Sequence, residues 1–428
     1  MLKQKLIVIS MDALIAEDID YLKDKPNFRW MLENGSWVEQ VRSIYPTLTY
    51  PCHTTMASGC YPAKHGIVNN THDIITRSKK LPWVFEHENV RCEDILDAAK
   101  KAGLTTAAVG WPVSGNHPSV DYLVNECWPE AGAPIEDYRD AYVKYGTSQE
   151  LLEKVVDPIL WMRVGRKQPQ SSYFLTKVSA EIIRNYQPDI LLLHYGVVDS
   201  YRHQSGVFSD LVTQGLDDCE EMLAMLIQAT KDAGVYEKTN FVVTSDHGQM
   251  NTVRAVDLNR MLADAGFITL DDEGKVQDWK AWCFTTGMSA QIRLSDPSDK
   301  QLYNQVHQLL LQKRQEGVWG YSRVYTRKDV QSMGLDGDFS FVVETDGITK
   351  FGDEWIFNPG ENDAKLKGSH GFHPDKGPSP TLIGCGPAFR KGGFLAHADL
   401  ADGAPTYAKI LGVELPDVDG RPLTELLV

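Results

Sequence analysis

Apolar runs alternate with segments of helical periodicity through most of the chain. Continuous apolar runs at residues 5–10, 190–194 and 241–244 are typical of strands buried on both faces of a parallel sheet. Residues 172–186 have helical character, and apolar positions recur every three or four residues at 211–230, which predicts helices packed against that sheet. The pattern therefore predicts an α/β fold with a doubly wound, mostly parallel sheet flanked by helices.

Shorter elements complete this predicted core. The sequence predicts strands at 37–42, 106–110 and 381–385 and helices at 26–32, 93–102 and 404–411. Residues 116–166 give mixed signals and are interpreted as loops and short helices over the site.

The pattern changes character between residues 266 and 365. The predicted elements there are strands at 289–294, 324–325 and 339–344 and a helix at 300–314. Such a mixture indicates a small α+β module inserted into the larger sheet. We therefore expect a core formed by residues 1–265 and 366–428, with residues 266–365 as a cap that covers the site and selects the substrate.

Polar residues able to bind a metal follow the predicted strands. Asp12 comes after the first apolar run, Asp246 and His247 follow the run at 241–244, and His370 lies in a glycine-flanked turn. In open α/β sheets, the carboxyl ends of the strands carry the site. For Asp12 taken alone, a helix-capping role is an equally good interpretation.

Asp199 and His203 form a second candidate pair after the run at 190–194. Residues four apart share one face of a helical turn, so a carboxylate and an imidazole at this spacing can bind one ion. The spacing alone is weak evidence, because an exposed polar turn is the commoner explanation.

Residues 45–66 contain a candidate nucleophile. Pro51 fits the first turn of a helix, which places Thr49 at the helix N-terminus, and Ser58-Gly59 are typical of the helix end. Free N–H groups and the helix dipole favour an anion there. A threonine hydroxyl attacks only when its environment lowers its pKa.

The candidate groups suggest a two-metal site. Oxygen and imidazole donors without cysteine suit Zn²⁺, with Mn²⁺ or Fe as alternatives. Seven donors exceed the needs of one ion, and two ions about 3.5–4 Å apart are typical of phosphoryl transfer. The seven groups are Asp12, Thr49, Asp199, His203, Asp246, His247 and His370.

The composition and charge of the chain limit which kinds of ligand the protein can bind. The chain has 428 residues and a formal net charge of -15, which argues against a nucleic-acid polymer as ligand but allows a small anionic substrate. The first apolar run is too short for a signal peptide or a membrane span, so we expect a cytoplasmic protein that does not bind membranes. The seven cysteines lack a Cys-x-x-Cys pair and are expected to be reduced. Nothing in the sequence predicts the oligomeric state.

Five segments resemble the type I phosphodiesterase/nucleotide pyrophosphatase branch of the alkaline phosphatase superfamily. In the order of that family they are M-D at 11–12, T-Y-P-C-H-T-T-M-A-S-G-C-Y-P-A-K-H-G at 49–66, D-S-Y-R-H at 199–203, S-D-H-G at 245–248 and H-G-F at 370–372. Their common order makes the resemblance specific.

The resemblance implies an alkaline phosphatase-like core with an inserted cap and two metal ions, usually zinc. By analogy, Asp199, His203 and His370 hold one ion, and Asp12, Thr49, Asp246 and His247 hold the other. Thr49 would attack phosphorus, and water would hydrolyse the resulting phosphothreonine with overall retention of stereochemistry.

Two positions are candidate substrate contacts. Cys52 stands where the resemblance implies an asparagine that contacts a phosphoryl oxygen, and a thiol is a weaker donor. Trp111 follows the strand predicted at 106–110 and could flank the substrate, although packing is the commoner role of an isolated tryptophan. A second departure, Asp12-Ala13 in place of Asp-Gly, should leave the ligand undisturbed.

We therefore expect a phosphodiesterase or pyrophosphatase acting on a small phosphorylated substrate. The alternative enzymatic function is that of a phosphomonoesterase or a phosphonate hydrolase with the same site. A non-catalytic ligand-binding relative is an alternative of another class.

Overall fold

A mostly parallel eight-stranded sheet forms the centre of the protein. The computed structural model describes residues 4–73, 75, 82–129, 135–354 and 367–428. The strands lie side by side in the order β18 (Gly393–Asp399), β2 (Ser36–Arg42), β17 (Leu382–Cys385), β6 (Thr239–Thr244), β1 (Lys5–Met11), β5 (Ile190–Tyr195), β3 (Thr106–Val109) and β4 (Tyr122–Val124). Strand β17 alone runs antiparallel to its two neighbours.

Strand β1 shows how the sheet separates two hydrophobic cores. Side chains alternate between the faces of a strand, and here both faces are buried. Ile7 and Ile9 pack into one core, whereas Leu6 and Val8 pack into the other. A continuous apolar run is therefore the correct signature of this central strand, as the sequence predicts.

Helices cover both faces of the sheet. Residues of α2 (Pro26–Asn34), α8 (Gln170–Tyr186) and α10 (Asp210–Asp232) pack into the first core, and residues of α3 (Thr49–Ser58), α5 (Ile95–Lys101) and α14 (Gly403–Leu411) pack into the second. The remaining helices near the sheet are α1 (Ile19–Leu22), α4 (Pro62–His65), α6 (Ile135–Lys144), α7 (Gln149–Leu151) and α9 (Val197–Ser205).

A smaller unit with its own core follows β6 in the chain. Strands β11 (Ala281–Thr285), β12 (Ser289–Leu294), β14 (Phe341–Thr345) and β13 (Tyr321–Thr326) form an antiparallel sheet in that order. Helices α11 (Leu258–Asp264) and α12 (Lys300–Glu316) pack on it, and α13 (Arg327–Gln331) follows β13. We call this unit the cap.

Short strand pairs join the cap to the core. They are β7 (Met250–Asn251) with β16 (Gly368–Ser369) and β8 (Arg254–Asp257) with β15 (Thr349–Gly352). A further pair, β9 (Ile268–Leu270) with β10 (Val276–Trp279), packs on the hydrophobic core of the cap. The predicted cap limits, residues 266 and 365, stay a prediction, and residue 365 lies outside the described residues. Among the described helices, none combines the length and apolar character that a membrane crossing requires.

The predicted fold class is confirmed, and most predicted elements occur within two residues of their expected ends. Strand β18 is an exception that the sequence analysis missed. It lies at the edge of the sheet, with most of its side chains partly or fully exposed, so it lacks the apolar run of a buried strand.

Candidate active site

Thr49 is the first residue of α3. The preceding residue, Leu48, is extended, and α3 ends at Gly59 in the left-handed conformation with φ 71°. Thr49 is 8% exposed, and its Oγ1 lies 3.2 Å from His247 Nε2. Its hydroxyl is therefore held beside a predicted metal ligand at a helix N-terminus, as the sequence predicts.

His53 holds this first helical turn against the sheet. Its Nδ1 lies 2.8 Å from the carbonyl oxygen of Thr49, and its Nε2 lies 2.8 Å from Ser10 Oγ. Because a carbonyl only accepts, Nδ1–H donates to Thr49 and Nε2 accepts from Ser10. Burial and the neighbouring His194 lower the pKa of His53 to about 3, so the ring stays neutral and rigidly oriented.

Asp12, Asp246 and His247 form the first group beside Thr49. His247 Nε2 lies 3.2 Å from Asp246 Oδ2 and 3.6 Å from Asp12 Oδ1. Ligand atoms of the three residues lie within 4.8 Å of one another, and all three side chains are buried. Within the described chain, these two carboxylate oxygens are buried without a hydrogen-bond donor.

Asp199, His203 and His370 form the second group. His203 Nε2 and His370 Nε2 lie 3.3 Å and 3.7 Å from Asp199 Oδ1. The rings of His370 and His247 stack with centroids 3.9 Å apart, so the two groups adjoin. The structure thus brings all seven predicted metal-binding residues to one place.

Hydrogen bonds orient the two imidazoles of the second group. His203 Nδ1 lies 2.7 Å from the Gly368 carbonyl, and His370 Nδ1 lies 3.0 Å from the Thr47 carbonyl. Each Nδ1 must donate, so in the neutral ring each Nε2 carries the lone pair and faces a carboxylate oxygen. Lone pairs that face one another in this way suit a cation between them.

Gln249 orients the carboxylate of this group. Its Nε2 donates to Asp199 Oδ1 at 2.5 Å and to the Asp199 carbonyl at 3.0 Å. The sequence analysis missed Gln249, which follows the S-D-H-G segment directly. Its position next to this segment could have indicated that Gln249 belongs to the site.

The charges of the site also fit bound cations. Burial and the carboxylates of Asp199 and Asp246 raise the pKa of Asp12 well above its usual value. Burial opposes ionisation of Asp199 as well, but His203 and the other two imidazoles hold its pKa below its usual range. Clustered, buried carboxylates favour positive charge among them. The donor set of oxygen and imidazole without thiolate therefore fits two divalent ions.

Cys52 and Trp111 do not line an open part of the site. Cys52 is 0% exposed in the second core, with Sγ 3.4 Å from Ser43 Oγ, and burial raises the pKa of its thiol. Trp111 is 2% exposed and packs edge-on against His53. Substrate contact by either residue stays a prediction, which this burial does not favour.

Asn70 stands beside the nucleophile instead. Its Oδ1 accepts a hydrogen bond from the Tyr50 backbone N–H at 2.8 Å, next to Thr49 in the chain. In the described chain its Nδ2 makes no hydrogen bond, so the amide can donate to an oxygen near Thr49. Sequence reasoning missed it because Asn70 lies in a loop with no periodic pattern, 21 positions from Thr49.

An aromatic cluster forms around Tyr50, the residue that follows Thr49 in the chain. The rings of Tyr50 and Trp83 lie 5.2 Å apart, and those of Trp83 and Trp128 lie 4.9 Å apart. The Arg166 guanidinium lies 4.0 Å from the Trp128 ring. Both tryptophans are only partly buried, so the cluster offers ring surface to a ligand. These residues are far apart in the sequence, so no local pattern predicts that they form a cluster.

Comparison with known proteins identifies the family. The model of the family described as type I phosphodiesterase / nucleotide pyrophosphatase matches residues 6–372. Ectonucleotide pyrophosphatase/phosphodiesterase family member 5 of Homo sapiens is 24% identical over 422 residues, covering 96% of this chain and 75% of that protein. The bis(5'-adenosyl)-triphosphatase ENPP4 of Homo sapiens is 25% identical over 422 residues, covering 96% and 79%.

Solved structures agree with the fold. Murine ectonucleotide pyrophosphatase / phosphodiesterase 5 has a TM-score of 0.68 at 20% identity, covering 99% of this chain and 100% of that one. An inactive variant of the murine protein in complex with AMP has a TM-score of 0.67 at 19% identity, with the same coverage. The chain therefore belongs to the type I phosphodiesterase/nucleotide pyrophosphatase family, whose members hydrolyse phosphoric ester or anhydride bonds.

Proposed function

We propose that this protein hydrolyses phosphodiester or pyrophosphate bonds of small nucleotide-like substrates, with Thr49 as the nucleophile. The observation that carries the proposal is the position of the Thr49 hydroxyl. It lies at the N-terminus of α3, 3.2 Å from His247 and beside two adjoining groups of metal-binding side chains.

Seven residues are proposed to hold two divalent ions. Asp12, Thr49, Asp246 and His247 would bind one, and Asp199, His203 and His370 the other. When bound, such ions lower the pKa of an attacking hydroxyl and neutralise charge on the phosphoryl and leaving oxygens. The oxygen and imidazole donors favour Zn²⁺, with Mn²⁺ or Fe as alternatives.

The reaction is proposed to proceed in two displacements. Thr49 Oγ1 forms a bond to phosphorus as its proton passes to solvent water, and the bond to the leaving oxygen breaks with its electron pair. The resulting phosphothreonine still carries the nucleoside as its second ester. Water then attacks its phosphorus and loses a proton to solvent, while the bond from phosphorus to Thr49 Oγ1 breaks and Oγ1 takes up a proton. Two inversions give net retention at phosphorus. The α3 N-terminus and the Asn70 amide are placed to stabilise negative charge on the phosphoryl oxygens.

The aromatic cluster supports a nucleotide as substrate. Every nucleobase has a flat face that can stack on an aromatic ring, and such stacking contributes about 1–3 kcal/mol per base. Tyr50 follows Thr49 in the chain, and its ring lies 5.2 Å from the ring of Trp83. The murine structural relative solved in complex with AMP supports a nucleotide-like substrate. The cytoplasmic location stays a prediction from the N-terminal sequence.

The test compares a chromogenic diester, the p-nitrophenyl ester of thymidine 5'-phosphate, with p-nitrophenyl phosphate in the presence of zinc. We expect the diester to be preferred and its turnover to fall about 10³-fold or more in Thr49→Ala. Thr54→Ala is the matched control, because Thr54 lies in the same helix and donates to the Tyr50 carbonyl. It should change turnover by less than about threefold.

Two results would contradict this proposal. Preference for the monoester would instead support the phosphomonoesterase alternative. Equal turnover by wild type and Thr49→Ala would exclude Thr49 as nucleophile. Mass spectrometry of acid-quenched reactions with the diester should locate a trapped thymidine monophosphate group on Thr49.

A further inference from the structure

His194 lies near the end of β5, next to the end of β1, which Asp12 follows. In the register of the sheet, His194 pairs with Ser10 of β1. His194 is 3% exposed, and its ring packs edge-on against the ring of His53 with centroids 4.4 Å apart. The sequence analysis predicted the strand that carries His194 but did not include this residue in the site.

Both ring nitrogens of His194 face hydrogen-bond acceptors. Nδ1 lies 3.0 Å from the Gly110 carbonyl oxygen, and Nε2 lies 3.2 Å from Asp12 Oδ2. Since a carbonyl oxygen only accepts, Nδ1–H must donate to Gly110. The contact with Asp12 is a hydrogen bond between a ring nitrogen and a carboxyl oxygen, and a proton on either atom satisfies it. One rigid ring therefore connects the residue after β3 to the Asp12 side chain.

This contact distinguishes the two oxygens of the Asp12 carboxyl group. Oδ2 is bonded to His194, whereas Oδ1 lies 3.6 Å from His247 Nε2 and has no hydrogen-bond partner in the described chain. Asp246 Oδ2 lies 3.2 Å from the same Nε2 and is also buried without a partner among the described residues. The oxygens without partners are thus the two that approach His247, and the other Asp12 oxygen is held by His194.

The carboxylate of the second metal-binding group has a different neighbour. Gln249 Nε2 donates to Asp199 Oδ1 at 2.5 Å. Within the part of the chain that the structure describes, His194 makes no hydrogen bond or ion pair with the second group. Outer partners of this kind orient a ligand, and their loss typically weakens metal binding about 10–100-fold. Loss of His194 should therefore affect the first group and leave the second unchanged.

We propose that His194 is a positioning residue for the first metal-binding group. It holds Asp12 Oδ2 and thereby directs Oδ1 toward His247 and the proposed ion. His194 acts through Asp12 and contacts neither substrate nor metal in this assignment. The inference rests on the proposed function, because that function requires an ion beside Thr49.

Two substitutions separate the contact with Asp12 from the contact with Gly110. A glutamine side chain places its amide N–H groups near the position of Nε2, whereas an asparagine side chain reaches only the position of Nδ1. His194→Asn should therefore weaken zinc binding at the first group about 10–100-fold and leave the second group unchanged. His194→Gln should stay within about threefold of wild type at both groups.

Competitive titration with a zinc chelator measures the two affinities, and anomalous diffraction at the zinc edge assigns each to its group. Gln249→Leu is the matched control with the opposite selectivity, because Gln249 holds the carboxylate of the second group. It should weaken zinc binding there and leave the first group unchanged. His194→Phe keeps a ring against His53 without either nitrogen, so it should lose affinity as His194→Asn does and replaces that variant if it fails to fold.

Three results would overturn the inference. They are wild-type zinc affinity in His194→Asn or His194→Phe, equal weakening at both groups, and equal weakening by His194→Asn and His194→Gln. Turnover tests the proposed function separately. Wild type that binds zinc in both groups but does not cleave the nitrophenyl ester of thymidine 5'-phosphate would count against the proposed function, while the zinc titration would still decide the role of His194.

Discussion

Asp12 lies where a negative charge is unfavourable without a cation. Its side chain is 4% exposed, and its Oδ1 has no hydrogen-bond donor within the described chain. Burial and nearby carboxylates raise its pKa well above the usual value. The folded, metal-free protein therefore binds a proton at Asp12 more tightly than the unfolded chain does. The buried Asp12 carboxylate therefore lowers the stability of the metal-free protein and favours the binding of a metal ion.

This gives a pH-dependent prediction for Asp12→Asn. Between the usual carboxyl pKa and the raised value, the folded state holds the proton and the unfolded state does not, so stability falls as pH rises. The amide side chain of the variant does not titrate. In metal-stripped protein, the Tm of wild type relative to Asp12→Asn should therefore decrease as pH rises above the usual carboxyl pKa of about 4.

Calorimetric scans with chelator present measure this difference at each pH. A difference in Tm that is independent of pH would contradict the account. With zinc added, wild type should have a higher Tm than Asp12→Asn, because its carboxylate binds the ion and the amide of the variant does not supply that charge.

Helix α9 is fixed to the segment after β1 by a buried ion pair. Arg202 lies between Asp199 and His203, and its Nη2 donates to Asp18 Oδ1 at 2.7 Å and Oδ2 at 2.5 Å. Asp18 Oδ2 also accepts from Ile15 N at 2.9 Å. Both charged side chains are almost fully buried. The pair thus connects the helix of the second metal-binding group to the segment that follows Asp12.

Arg202→Met should destabilise the protein by about 3–5 kcal/mol, because it leaves the Asp18 charge buried and unpaired. Adding Asp18→Asn removes that charge and should recover part of the loss. Urea unfolding of the metal-free protein measures both effects. Lys154→Met breaks the exposed pair with Glu150 and should leave the free energy of unfolding almost unchanged. A cost as small for Arg202→Met would show that the buried pair does not stabilise the fold.

Across the whole molecule, Glu344 connects the cap to the core. It lies on cap strand β14 and is 0% exposed. Tyr45 Oη donates to its Oε2 at 2.8 Å, and His373 N donates to its Oε1 at 3.1 Å. Lys376 Nζ lies 3.2 Å from Oε1. These partners flank Thr47 and His370, so the contact couples the position of the cap to the site.

Glu344→Gln should weaken this contact by about 1.5–3 kcal/mol, since it removes the charge that strengthens three hydrogen bonds. We expect KM to rise more than kcat falls, because cap placement affects substrate binding before it affects Thr49. Hydrogen exchange at β14 should become faster. Glu316→Gln, at an exposed cap position, is the control. Unchanged exchange at β14 would contradict the coupling.

The sequence by itself determined the chemical groups and the local elements that carry them. Apolar runs located the central strands because burial on both faces leaves a continuous pattern, and Asp12 and Asp246 follow those strands directly. The helical spacing of Asp199 and His203 is likewise a local property. Motif order was sufficient to indicate the family.

Only the tertiary structure decided how distant segments meet. It buried Cys52 in the core, placed Asn70 against the first turn of α3, and assembled Trp83 and Trp128 into one cluster. These contacts join residues from different loops and strands, so the local periodicity of the sequence does not predict them. They depend on strand order and on how the cap packs, which arise from burial of surface contributed by the whole chain.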